Sequence, residues 1–326
     1  MTSAPLQPCP IDTRAAADTV FDMSAPLSDD RPVEKAAGFA VNGEVRIRYE
    51  VRGPVDGDPL LLLLGVGMQL VMWHEDLLAD FVGRGFRVAI LDYRDCGEST
   101  HLDAAGRPTL TKMMTRPSRA PYTLRDMADD VVAVLDELGW AAAHIVGMSM
   151  GGMIAQELAI HHRERVSTLT SMMATPTPSI GRISMRTGMK LTRMQDREVR
   201  NREDAGEILG DVLSLMGSPG IDDDLGWVRE AGARAYDRAY DQAGRLRQEY
   251  ALMAGGDRRT ALATLDLPVT VIHGDADAIW KPSAGQATAE IVKGARLVMV
   301  PGMGHGLLPR RYWPLVVDEV CRLTGH

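Results

Sequence analysis

The sequence predicts an α/β protein: a mostly parallel central sheet, helices on both faces and an inserted helical lid. Three observations predict it. Runs such as "PLLLLLG" and "FRVAILDYR" are apolar throughout and too short for helices, as strands buried on both faces are. Segments with helical spacing separate them. From Thr175 to about Gly256 the alternation stops and the chain becomes rich in Arg, Met and Asp; beyond it, alternation resumes.

The totals fit this class. The chain has 326 residues, 45% hydrophobic and 25% charged, which allows one large domain with an insertion. A net charge of −8 without a Lys/Arg run argues against nucleic acid as a partner. Cys9, Cys96 and Cys321 show neither metal-ligand spacing nor a disulfide framework, so a reducing cytoplasm is the expected compartment. Residues 1–37 lack the features of a signal peptide and read as a mobile extension with a short helix around Ala15 to Phe21. No apolar run reaches transmembrane length, so no stable membrane insertion is expected.

Order is expected from Gly38, with the core formed by residues 38–174 and 257–326. Asn42-Gly43 lies between two β-rich runs and signals a hairpin. "PLLLLLG" is the first buried strand. In "WHEDLLADFVGRG", Leu77, Leu78 and Phe81 share a helical face and Gly85 ends it. "FRVAILDYR" is the next buried strand. Thr123 to Asp126 forms a capping box for a helix with Met127, Val131, Val134 and Leu135 on one face. "AHIVGM" reads as strand, "MGGMIAQELAIHH" as helix and "VSTLTSMMA" as strand. Residues 175–256 read as a helical lid, broken at Gly217 to Gly220. The final alternation is strand "LPVTVIHG", helix "SAGQATAEIVKG", strand "ARLVMVPG" and helix "RRYWPLVVDEVCRLTG".

In such sheets, sites lie beyond the carboxyl ends of the strands. Three residues with complementary chemistry fall there: Ser149 in Gly147-Met-Ser-Met-Gly151, Asp277 after "VIHG", and His305 between Gly304 and Gly306. They are a nucleophile, the carboxylate that orients its base, and the base. A Ser on a sharp strand-to-helix turn needs glycines around it. It also stands at a helix N-terminus, where the Met150 amide can donate to an oxyanion. The Val66 amide is the expected second donor, because Gly65 lets that backbone approach. Asp275 competes with Asp277 for the acid role but reads as a turn former. Cys96 has no base placed for it. His273 reads as packed, and His74, His101, His161 and His162 as surface or loop. Asp222 to Asp224 read as a solvated cap or turn; no metal or organic cofactor is expected.

Many of the 19 methionines fall near strand ends. They are either flexible core filler or an adaptable apolar pocket for a bulky group. The candidate pocket residues are Met68, Trp73, Met172, Trp280 and Met303.

"LLLGVGMQ", "LDYRDCGEST", "GMSMGG", "VIHGDADAI" and "VPGMGHGLLP" resemble the α/β-hydrolase fold superfamily in order and spacing. The chain looks most similar to the serine esterase/lipase branch that includes aclacinomycin methylesterase. The resemblance covers Gly38 to the C-terminus. It implies Ser149 as nucleophile, Asp277 as acid, His305 as base and the Val66 and Met150 amides as oxyanion hole, with a lid after the sixth strand. Two positions depart from the family pattern: Ala278 stands where Pro usually follows the acid, and Leu64-Gly65 where His-Gly is frequent. The expected function is hydrolysis of a small-molecule carboxylic ester, with a bulky polyketide-type ester or macrolide lactone favoured. A general carboxylesterase, lipase or thioesterase is the near alternative. A cofactor-free perhydrolase, a carbon–carbon bond hydrolase and a non-catalytic ligand binder are the further ones.

Overall fold

The computed structural model describes residues 34–219 and 224–326. The expected helix near Ala15 to Phe21, and the extension up to residue 33, lie outside these. Strand β1 (Glu34–Asn42) begins earlier than the expected Gly38 and pairs with β2 (Val45–Gly53) as an antiparallel hairpin. Its turn uses Gly43 at φ 61°, the left-handed conformation that glycine adopts without steric cost.

The remaining strands are β3 (Asp58–Leu63), β4 (Phe86–Leu91), β5 (Ala143–Met148), β6 (Val166–Met172), β7 (Val269–Gly274) and β8 (Arg296–Val300). The sheet order is β1-β2-β4-β3-β5-β6-β7-β8. β2 meets β4 antiparallel, and every pair from β4 to β8 is parallel. The continuous leucine run has a simple cause: Leu61 and Leu63 join one hydrophobic core, while Leu60, Leu62 and Leu64 join the other. A strand buried on both faces has no polar side to show.

The helices are α1 (Glu75–Gly83), α2 (Leu110–Thr115), α3 (Leu124–Glu137), α4 (Met150–His161), α5 (Met185–Gln195), α6 (Arg202–Met216), α7 (Leu225–Arg238), α8 (Gln242–Ala254), α9 (Arg259–Leu262), α10 (Ser283–Ile291) and α11 (Trp313–Thr324). α3 and α4 bury Met127, Val131, Ile154 and Leu158 on one face of the sheet. α1 and α11 bury Leu78, Phe81, Val316 and Val320 on the other. The Thr123–Asp126 capping box is present at the start of α3, each residue bonding the other's backbone amide. α2 had no counterpart in the sequence pattern. The segment between β6 and β7 holds α5 to α9. Among the described residues, no helix is long and apolar enough to cross a membrane.

Candidate active site

Ser149 joins β5 to α4 with φ 55° and ψ −119°, a conformation that costs free energy for a residue with a side chain. Close packing holds it there. The Ser149 amide donates to the Met172 carbonyl on β6 (2.9 Å). Gly151 sits so near the end of β3 that a Cβ would meet the Leu63 and Leu64 carbonyl oxygens at 2.4 Å. A Cβ on Gly147 would lie 2.3 Å from the Gly151 carbonyl oxygen. These glycines are required by approach of backbone to backbone, and the tight turn follows from that.

The loops after β7 and β8 bring two more groups to this turn. His305 Nε2 lies 2.8 Å from Ser149 Oγ, and His305 Nδ1 lies 2.8 Å from Asp277 Oδ2. A carboxylate only accepts, so Nδ1 carries the proton and Nε2 is left to accept from the serine hydroxyl. All three residues are nearly inaccessible, at 8%, 4% and 5% exposure for Ser149, Asp277 and His305.

Asp277 has further partners. Its Oδ1 accepts from the Ile279 and Trp280 amides (2.8 and 2.9 Å). Its Oδ2 also lies 3.4 Å from His273 Nε2, which bonds the Trp280 carbonyl at 2.6 Å. Burial would raise the Asp277 carboxyl. The charge of His305 and hydrogen bonds from His273 and His305 outweigh it and hold the carboxyl well below the usual range. Asp275 instead accepts from the Gly302 amide (2.7 Å) and braces the turn after β8. His273 is therefore more than a packed strand residue, since it closes the Asp277–Trp280 loop.

Met150 is the first residue of α4, so its amide has no acceptor within the helix. Gly65 abuts the serine: a Cβ there would lie 3.4 Å from Ser149 Cβ and 3.8 Å from Oγ. Val66 follows in that loop and lines the same cavity as Ser149. The histidine loop is braced from the insertion, where His305 N donates to the Met216 carbonyl (2.8 Å) and Gly304 N to Ser218 Oγ (2.9 Å).

A cavity of about 770 Å³ lies against Val66, Ser149 and His305, between the strand ends and α5 to α8. Met68 and Trp280 line it, as expected. Trp73, Met172 and Met303 do not, and these three pocket assignments are corrected. Trp73 faces a separate small void beside α7, Met172 belongs to the sheet core through β6, and Met303 packs against Gly274 at the β7 end. Each is 6% exposed or less, filled around by its own strand or loop. Met72, Met148, Met173 and Met216 line the cavity as well.

The other titratable candidates sort themselves out. The Cys96 thiol is raised well above its ordinary value, first by burial and then by the Asp92 charge, so it stays protonated. His74 caps α1 and stacks between Trp227 and Trp313, and His101 bonds Asp241 (2.7 Å) and the Gly97 carbonyl (2.9 Å). Both sit in loops, as expected, and both are partnered. Asp222 and Asp223 lie outside the described residues; Asp224 accepts from the Arg310 amide (3.2 Å). Asp95, His101 and Asp241 approach one another as metal ligands would, but the Arg247 guanidinium bonds Asp95 (2.7 and 2.8 Å) and Asp241 (3.0 Å).

Comparison with known proteins bears on this geometry. A family model described as the alpha/beta hydrolase fold matches residues 58–210. Rhodomycin D methylesterase DnrP of Streptomyces peucetius is 28% identical over 85% of this chain and 93% of its own length. The bifunctional esterase/perhydrolase DCH of Acinetobacter calcoaceticus is 27% identical over 81% of this chain and 90% of its own. The crystal structure of a hydrolase from Pseudomonas aeruginosa superimposes with a TM-score of 0.69 at 24% identity, covering 89% of this chain and 98% of that one. The chain has the α/β-hydrolase fold, and it resembles the rhodomycin D methylesterases in sequence.

Proposed function

We propose that the protein is a serine hydrolase that cleaves a carboxylic ester through an acyl-enzyme. The observation that carries this is the unbroken relay from Ser149 Oγ through His305 to Asp277, with both hydrogen bonds at 2.8 Å. His305 Nε2 takes the hydroxyl proton as Ser149 Oγ attacks the ester carbonyl carbon. The carbonyl oxygen becomes an oxyanion, held by the Val66 and Met150 amides. Collapse expels the alkoxide, which takes the proton back from His305. Water then gives a proton to His305 and attacks the acyl carbon, releasing the acid and restoring Ser149. Asp277 keeps the imidazole in the productive tautomer throughout.

The substrate we favour is a large apolar ester of polyketide type, or a macrolactone. The cavity's volume and its methionine-rich wall support this, as does the likeness to enzymes named rhodomycin D methylesterase. The insertion acts as its lid. A panel comparing acetate esters, long acyl esters, bulky aromatic methyl esters and macrolactones tests the choice. The bulky esters are expected to lead by at least about tenfold in kcat/KM, the scale of a filled against an unfilled apolar pocket. Acetate esters leading the panel would overturn the substrate assignment.

A second reading has its own support in the relative named esterase/perhydrolase. There, hydrogen peroxide in place of water attacks the acyl-enzyme and the product is a peracid. Adding peroxide to the ester assay, with detection of peracid, separates the two.

A further inference from the structure

Residues 65–69, the loop that carries Val66, are bonded to two helices of the insertion. The Gly67 amide donates to Oε1 of Gln248 on α8 (2.8 Å). The Gln69 side chain donates to the Ala235 and Ala239 carbonyls at the end of α7 (2.8 and 2.6 Å). Gln248 is fully buried, and its Nε2 donates to the Arg94 carbonyl in the loop after β4 (2.8 Å). Its orientation follows from chemistry, because the Gly67 amide can only donate and the Arg94 carbonyl can only accept. One side chain thus ties the loop after β3 to the loop after β4.

The local turn explains why this bond matters. The Met68 amide donates to the Gly65 carbonyl (3.3 Å), making residues 65–68 a β-turn with Val66 and Gly67 at its centre. Gly67 has φ 69°, as a type II turn demands at that position. Types I and II differ by a flip of the central peptide, here Val66–Gly67. The Gln248 bond is made to the N–H of that peptide. A flip would turn the N–H away from Gln248 and bring the Val66 carbonyl to face its Oε1, acceptor against acceptor.

We propose that Gln248 is a positioning residue for the oxyanion hole. From α8 it fixes the Val66–Gly67 peptide and so the turn whose preceding peptide presents the Val66 amide; the hole is complete only while α8 is seated on the core. The adjacent Arg247 does the seating, through its buried bidentate pair with Asp95. The insertion then has two parts. α8 is fixed and belongs to the catalytic apparatus. α5, by contrast, buries no residue fully and lies over the cavity. This inference rests on the serine-hydrolase reading above.

The test compares Gln248→Met, which keeps the shape and removes both hydrogen bonds, with Gln248→Glu, which keeps an acceptor for the Gly67 amide. Thermal melting, kcat, KM and affinity for a boronic acid transition-state analogue are measured for each. Loss of a whole oxyanion donor costs about 100- to 1000-fold, so a loosened one is expected to cost about 10- to 100-fold in kcat. Gln248→Met should show that loss with KM within about twofold, and boronate affinity should fall in parallel with kcat/KM. Gln248→Glu should recover most of kcat. If Gln248→Met does not fold, Gln248→Glu and Gln248→Asn carry the comparison: full activity in the shorter Asn variant, which cannot reach Gly67, would overturn the proposal. So would a rise in KM at unchanged kcat, or unchanged boronate affinity in a slowed variant. Wild-type ester hydrolysis that disappears in Ser149→Ala is the control. Its failure would strike the serine-hydrolase reading, whereas a fast Gln248→Met beside a good control would strike only this inference.

Discussion

At the scale of single residues, the candidate site divides sharply between what position in the chain reveals and what only contact reveals. Ser149, Asp277 and His305 were legible because each falls just past a strand, with small residues close by, in an order the fold can close. Choosing between Asp277 and Asp275 needed the structure. Asp277 faces His305 Nδ1 and receives two backbone amides, while Asp275 is spent on the Gly302 amide. Asp277→Asn is therefore expected to lower kcat by about 10⁴-fold, as loss of the orienting carboxylate does in such triads. Asp275→Asn should retain activity within about tenfold, because the catalytic histidine does not touch it. Steady-state kinetics on the two variants checks this; the reverse pattern would exchange their roles. Gln248 and His273 carried no sequence signal of their own. A lone glutamine on a helix acquires meaning only from a partner 181 residues away.

At the scale of elements, the strands and the helices flanking them were readable because burial on two faces or one writes itself into composition and spacing. The turn after β5 is the element on which the chemistry depends. Its glycines answer to neighbouring backbone, Gly151 to the end of β3 and Gly147 to the start of α4, so their replacement acts on folding before catalysis. Gly151→Ala forces a methyl group into carbonyl oxygens that cannot move aside. A loss of about 1–3 kcal/mol is expected, the usual cost of overpacking, read as a lowered denaturant midpoint at unchanged slope. A variant as stable as wild type would mean that the turn tolerates a wider approach than its geometry indicates. The insertion was less legible. Its helical character showed in the sequence, but the manner of its docking did not. Several of the docking contacts are polar side chains meeting backbone or charged groups of distant loops, and hydrophobic periodicity does not register them.

At the scale of the whole molecule, the insertion braces the loops of Val66 and His305 as well as lining the cavity. α8 holds the loop of Val66, and the end of α6 holds the loop of His305. One joint between core and insertion responds to pH. Both ring nitrogens of His101 face acceptors, Asp241 and the Gly97 carbonyl, and Asp95 lies nearby opposite Arg247. Burial lowers the His101 imidazolium, but the Gly97 and Asp241 hydrogen bonds and the Asp241 and Asp95 charges outweigh it and raise it above its ordinary value. A raised folded-state value stabilises fully below the unfolded value of about 6.5 and is lost as pH climbs through the folded one. His101→Gln should thus lower the melting temperature most below about pH 6.5, with the difference shrinking toward alkaline pH. A difference that grows with pH would mean that His101 is held neutral.

The central claim is that Ser149 is a nucleophile activated by His305. The most direct measurement is mass spectrometry of the intact and digested protein after exposure to a fluorophosphonate. A single adduct on the peptide containing Ser149, formed by the wild type and absent from a folded Ser149→Ala variant, is expected. A folded wild-type protein that takes up no adduct, or takes it up at a residue other than Ser149, would contradict the account.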